Sequence, residues 1–258
     1  SQSAFALTTY VNGVQPLARA FDGFLIHSRG ASSAPLGRAG EGVDVAGSLG
    51  GPPTRIRTDS DAPVHTLETE SDVVGFFGYH RARQPDTDRF RLWEVAGTAH
   101  ADAFIVGPVA DVLDCGGQIN AGPQHLVVKA ALRHLGTWVR TGEAPPQAEP
   151  FDLDDTSGQT RLARDGDDIV VGGIRTPLVD VPVATLSGEP HGSPSVICLL
   201  LGSTVPFTED QLGERYATRD DYLAEFEAAA DEVVDAGFVL EEDRQALLDA
   251  AQPDLIPG

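Results

Sequence analysis

The run Arg91-Leu-Trp-Glu-Val95 is short and mostly apolar, and it breaks at Gly97, after which Thr98-Ala99 lead directly to His100. A run of this length closed by glycine reads as a buried strand. A histidine just past the end of a parallel strand stands where α/β folds keep their reactive groups. Taken alone, a loop histidine is better explained as a ring satisfied by a backbone carbonyl, so its neighbours in the sequence have to decide. Two similar runs precede it. One lies near Gly23 to His27, and the other is Pro63-Val64-His65-Thr66-Leu67, entered by proline and followed by Glu68-Thr69-Glu70-Ser71-Asp72. A carboxylate just beyond a strand, ahead of the last strand and its histidine, is what orients an imidazole in a catalytic triad. Asp72 is the favoured acid because it lies farthest out on the loop, with Glu70 as the alternative. Each is also readable as a solvated acid in an acidic protein.

The chain opens Ser1-Gln2-Ser3-Ala4 and contains no methionine. This reads as a processed chain or a fragment. Ser1-Gln2-Ser3 is what is left when Gly-x is cut from Gly-x-Ser-Gln-Ser, a variant of the elbow that exposes a nucleophilic serine on a strand-to-helix turn. The stretch from Ala4 to Val11 then reads as a short apolar helix ended by Asn12-Gly13 and Pro16. The chain order Ser1, Asp72, His100 is the hydrolase order.

Several strings together resemble one family: Ser1-Gln-Ser-Ala4 with Thr9-Tyr-Val-Asn12, Glu68-Thr-Glu-Ser-Asp72, Leu92-Trp-Glu-Val-Ala-Gly-Thr-Ala-His-Ala-Asp102, and Gly172-Gly-Ile-Arg-Thr-Pro177. The chain resembles the C-terminal part of bacterial α/β-hydrolase-domain proteins, truncated at the nucleophile elbow. The resemblance implies a partial α/β-hydrolase fold, the C-terminal half of the sheet, and serine esterase chemistry. It matches Ser1, Asp72 (or Glu70) and His100 to the triad. The backbone N–H of Gln2 would be one oxyanion donor, and the segment expected to give the other lies upstream of Ser1.

With 18 basic against 39 acidic residues the formal charge is −21, which argues against nucleic acid as a partner because phosphate binding needs a basic surface. No run of about 18 apolar residues suggests a membrane span. Cys115 and Cys198 are the only cysteines. They are either one long-loop disulfide in an exported protein or two buried thiols in a cytosolic one. The seven histidines are scattered with no metal-ligand spacing, and Asp152-Leu-Asp-Asp155 and Asp165-Gly-Asp-Asp168 lack the EF-hand pattern. No metal and no cofactor is expected.

Residues 1–150 read as the hydrolase body and 151–258 as an α+β appendage. In the body, a helix over His125 to Arg140 turns Val128, Ala131, Leu135, Trp138 and Val139 to one face. The Gly-, Ala-, Ser- and Pro-rich stretch 30–53 reads as a cap or an excursion. In the appendage, Ile169 to Val171, Val181 to Leu186 and Val196 to Leu201 read as extended. Helices are expected over Glu209 to Tyr216, Asp220 to Ala236 and Glu241 to Ala251, the second stopping at Gly237. The leading expectation is a carboxylic-ester hydrolase acting on a small-molecule ester. The alternatives are a self-processed amidohydrolase using its N-terminal serine and a non-catalytic binding domain on a hydrolase scaffold.

Overall fold

The computed structural model describes residues 2–38, 40–192 and 195–257. Three parallel strands, β1 (Phe24–His27), β2 (Val64–Thr69) and β3 (Phe90–Val95), form the central sheet in the order β1-β2-β3. Phe24 pairs with Val64, and Thr69 with Val95. Every residue of β2 and β3 is buried. That is why these strands read as runs rather than as alternating patterns: a parallel sheet is covered on both faces. The sheet gains one more parallel rung from far along the chain, where Ile174 N–H donates to Glu94 O (2.7 Å) and Ala96 N–H to Ile174 O (2.9 Å).

Helix α1 (Gln2–Thr9) covers one face of the sheet. Ala4 there shares a core with Phe24, Ile26, Val64 and Leu92, and with Phe151, Leu162 and Val170 from the later part of the chain. The chain does not leave the helical path at Asn12-Gly13 and Pro16 as expected. It continues through a wider π turn (Tyr10–Val14) and a last turn (Gln15–Ala18), ending at Arg19 with φ +46°. Pro16 falls in the first turn of that last piece, where its missing N–H breaks no helical bond.

β2 runs into the single turn α2 (Glu70–Val73), and the long helix α3 (Gln124–Thr141) follows β3. Helix α3 lies on the second face. It buries Leu126, Val127, Ala130 and Ala131 against Leu67, Trp93 and Val95, and Trp138 is buried farther along it. The inward face is therefore turned from the expected one, with Val128 half-buried and Val139 exposed. Trp93 explains the turn. Its ring fills the space beneath the helix and its indole N–H donates to Pro146 O (2.9 Å).

Two short antiparallel pairs follow, β4 (Leu153–Asp154) with β5 (Arg161–Leu162) and β6 (Ala184–Ser187) with β7 (Ser203–Pro206). The extended reading of Val196 to Leu201 is overturned, because Ile197–Leu200 is a 3-10 turn and the strand falls just after it. The turn points Val196, Ile197 and Leu199 outward and Cys198 inward, where Cys198 forms a disulfide with Cys115 (Cα–Cα 5.5 Å). The alternative of two separate thiols is thereby excluded. Helices α4 (Glu209–Arg215), α5 (Arg219–Asp235) and α6 (Arg244–Leu248) complete the chain. Tyr222 and Phe226 of α5 pack with Tyr216, Leu212 and Val183, and Gly237 stops α5 at φ +79°. The expected third helix is shorter, a 3-10 turn (Glu241–Asp243) leading into α6.

The disulfide closes a loop of sequence separation 83, so the double variant Cys115→Ser/Cys198→Ser should lose about 2–5 kcal/mol of unfolding free energy. Urea unfolding with and without reductant measures this. Glu68 of β2 is buried and, among the described residues, accepts from the Arg29 backbone N–H (3.1 Å). Burial, reinforced by the nearby Asp72 charge, pushes its carboxyl well above the usual range despite Arg29. The folded carboxyl keeps its proton to higher pH than the unfolded one, so stability is lost as pH rises through that window. Glu68→Gln removes the titration and should gain on the wild type as pH rises above the ordinary carboxylate range in the same assay.

Candidate active site

The ends of β2 and β3 lie side by side, and the loops that leave them build the site. After β2, the turn of α2 brings four consecutive residues to bear. The Asp72 carboxylate is fully buried and is held from one side by Thr69, whose N–H (3.0 Å) and hydroxyl (2.5 Å) both donate to Oδ2. Its other oxygen, Oδ1, lies 2.6 Å from His100 Nδ1. Burial alone would raise the Asp72 carboxyl. The hydrogen bond and charge of His100, with the Thr69 donors, outweigh it and hold the group below its ordinary value. An ionised carboxylate only accepts, so Nδ1 carries the proton and Nε2 of the neutral ring is left as a base.

After β3, the chain turns at Gly97 with φ +68°, where an added Cβ would come within 2.6 Å of Val179. Only glycine fits there. Thr98 tightens the turn by donating its hydroxyl to Val95 O (2.6 Å), and the His100 N–H donates to Ser71 Oγ (2.7 Å). Ser71 thus fixes the backbone of His100 while its neighbour Asp72 fixes the ring. The imidazole also stacks on Phe77, with centroids 4.7 Å apart and planes 10° apart. From beneath, the buried amide of Gln124 donates to Ala99 O and to Asp102 Oδ2, both at 2.7 Å. Its carbonyl faces His27 Nε2 at 3.1 Å. Burial, the largest influence, holds His27 below its ordinary value, so it stays neutral and donates from Nε2.

Glu70, the alternative acid, is engaged elsewhere. Its carboxylate accepts from the Gly97 N–H (2.7 Å), the Gly188 N–H (3.0 Å) and the Arg164 guanidinium (2.9 Å). Ser1 lies outside the described residues. Gln2, the expected oxyanion donor, is the first residue of α1 and lines the same cavity of about 740 Å³ as His100, Ser71 and Phe77. The stretch 30–53 returns to this cavity through Leu49, tied down where the Ser32 hydroxyl contacts Ser48 O (2.8 Å) and Leu49 O (3.1 Å).

Sequence reading passed over Thr69, Ser71, Phe77 and Gln124 as parts of the site. Adjacency to Asp72 was the one signal for the first two. Phe77 reaches the His100 ring, and Gln124 the neighbouring Ala99 and Asp102, only through the fold. Among the described residues, no group of three or more His, Cys, Asp or Glu is arranged to hold a metal ion.

An imidazole fixed on a buried carboxylate, in a ring that lines a cavity of ligand size, is equipped to take and return a proton. No curated protein and no solved structure matches the chain. A family model described as an alpha/beta hydrolase domain matches residues 1–249, in keeping with the parallel sheet and the strand-end loops. The chain therefore belongs to the alpha/beta hydrolase domain family, and hydrolase chemistry is the activity that membership points to.

Proposed function

We propose that the protein is a serine carboxylic-ester hydrolase in which Ser1 is the nucleophile, His100 the general base and acid, and Asp72 the group that orients and stabilises the imidazole. The observation that carries this reading is the 2.6 Å contact between Asp72 Oδ1 and His100 Nδ1, which leaves Nε2 as the second nitrogen of a ring lining the cavity. Gln2 lines that cavity too and directly follows Ser1 in the chain.

In the first half-reaction the Ser1 hydroxyl oxygen adds to the acyl carbon while its proton passes to His100 Nε2. The Asp72 carboxylate stabilises the resulting imidazolium without taking a proton itself. The negative oxygen of the tetrahedral intermediate is received by backbone N–H donors, of which the Gln2 N–H is one. The intermediate collapses by breaking the bond to the alkoxy oxygen, which leaves as an alcohol with the imidazolium proton. Water then adds to the acyl-enzyme, giving its proton to Nε2. Release of the carboxylic acid returns that proton to the serine oxygen. The helix that begins at Gln2 and the ready Asp72–His100 pair weigh against a self-processed enzyme whose own amine serves as base.

A fluorophosphonate should label Ser1 and leave Ser3 unmodified in peptide mass mapping; an adduct on Ser3 removes the nucleophile assignment. His100→Ala should lower kcat on p-nitrophenyl butyrate by about a thousandfold or more, and a loss under about tenfold would make His100 structural. Asp72 is held ionised below the ordinary carboxylate range. Asp72→Asn, which withdraws the charge that stabilises the imidazolium, should lower kcat on the same ester by about ten-thousandfold, and a loss under about tenfold would remove the orienting role of Asp72.

A further inference from the structure

The cavity beside His100 is apolar along Leu49, Phe76, Phe77, Val196 and Leu199, with Phe76 and Val196 largely exposed at its mouth (68% and 78%). Gln2, Ser71, Gln159, Thr160 and Glu189 add polar groups to the lining. Among the described residues, Arg161 is the only lysine or arginine that lines it. Arg161 opens β5, where the inward position is taken by buried Leu162 and the arginine stands on the exposed side. The short hairpin beneath it is anchored. Leu162 enters the main core, and the Ala163 N–H donates to Asp152 O (2.9 Å).

Arginines in this chain, outnumbered by acids, mostly sit on carboxylates: Arg57 on Asp59, Arg83 on Glu94, Arg91 on Asp86, Arg175 on Asp180, Arg244 on Asp231. Arg161 does not. Its cross-strand neighbour Asp154 feels the Arg161 charge but is hydrogen-bonded to the Thr156 N–H (2.8 Å) and does not close to an ion pair with the guanidinium. The carboxylate that lines the cavity, Glu189, is drawn to Arg164 at 3.7 Å. A guanidinium at an apolar cavity, without an ion-pair partner among the described residues, has its planar donor fork available for a carboxylate.

We propose that Arg161 is a specificity-determining residue. The preferred substrates are esters with an apolar acyl or alkyl part that carries a carboxylate at its far end. The scissile bond sits at His100 and the remote carboxylate on Arg161. This rests on the hydrolase reading above and adds to it the class of ester. The overall charge of −21 works against anions at long range, but salt screens that field beyond roughly 8 Å, leaving the local guanidinium to decide.

The test compares p-nitrophenyl esters of glutaric and adipic acid, each with its second carboxyl free, with p-nitrophenyl pentanoate and hexanoate. The wild type should favour the free acids by about fivefold or more in kcat/KM, mainly through KM, as one partly exposed charge pair allows. Arg161→Ala should erase the ratio, Arg161→Glu invert it and Arg161→Lys keep part of it, and 1 M salt should shrink it in the wild type. In parallel, calorimetric binding of 6-phenylhexanoate should be tighter than that of 6-phenylhexan-1-ol, and Arg161→Ala should abolish the difference. Neutral esters turned over as well as the acids, or a preference that survives Arg161→Ala, overturns the proposal while leaving the hydrolase reading intact. Arg161-dependent binding of 6-phenylhexanoate with no ester turned over has the opposite meaning: the anion subsite stands and the serine-esterase reading falls. Failure to bind 6-phenylhexanoate more tightly than the alcohol overturns the subsite.

Discussion

Three segments far apart in the chain meet at the carboxylate of Glu70, which accepts the N–H of Gly97, the N–H of Gly188 and the guanidinium of Arg164. Glu70 is almost fully buried, and a buried carboxylate persists only when its oxygens are satisfied in this way. The Gly97 bond sets the path by which the chain leaves β3, and with it the place of His100 three residues later. Gly188 must come very close for this, since a Cβ there would stand 2.5 Å from the Ser71 nitrogen. The candidate site is therefore built on an ionic clamp that itself takes no part in the proposed chemistry.

The division of labour between Glu70 and Asp72 follows from local geometry. Successive residues of a helical turn point about 100° apart, so Glu70, Ser71 and Asp72 address three directions. Glu70 meets the later chain, Ser71 meets the backbone of His100, and Asp72 meets its ring. Thr69, still extended, reaches forward to hold the second oxygen of Asp72. A sequence with three acids at alternate positions thus does not carry three equivalent candidates. Glu68 falls on the strand and is buried against Arg29.

Much of this was legible in the residues. The three parallel strands, the long helix after Pro123 and the helices over 209–235 follow from apolar runs, breakers and helical spacing, and these signals are local. Asp72 and His100 were placed on neighbouring loops for the same reason. The partners that immobilise them were not legible, because Phe77, Gln124 and Gly188 arrive through tertiary contacts that no spacing encodes. Val196 to Leu201 misled because an apolar run reads as a strand whichever way its side chains point, whereas here a disulfide turns Cys198 inward and its neighbours out. The turned face of α3 has a similar origin in the bulk of Trp93. The helix at Asn12-Gly13-Val14 ran on because buried Val11 and the Gln15 amide, which donates to Phe21 O (2.6 Å), anchor it against the body.

The Gly188–Glu70 bond joins residues 118 apart, and the rung from Ile174 and the Cys115–Cys198 bridge reach comparably far. Contacts of such span close late, because the entropy of bringing distant segments together must be met before they add stability. On the ribosome, β1, β2 and β3 emerge with Asp72 and His100 long before Gly188 does, so the loop bearing the imidazole spends part of synthesis without its clamp. The site then becomes rigid as one of the last events of folding, only after the segment beyond Pro150 has docked. Order in the chain and order of assembly are thus opposed: the residues proposed for chemistry come early, and those that hold them still come last.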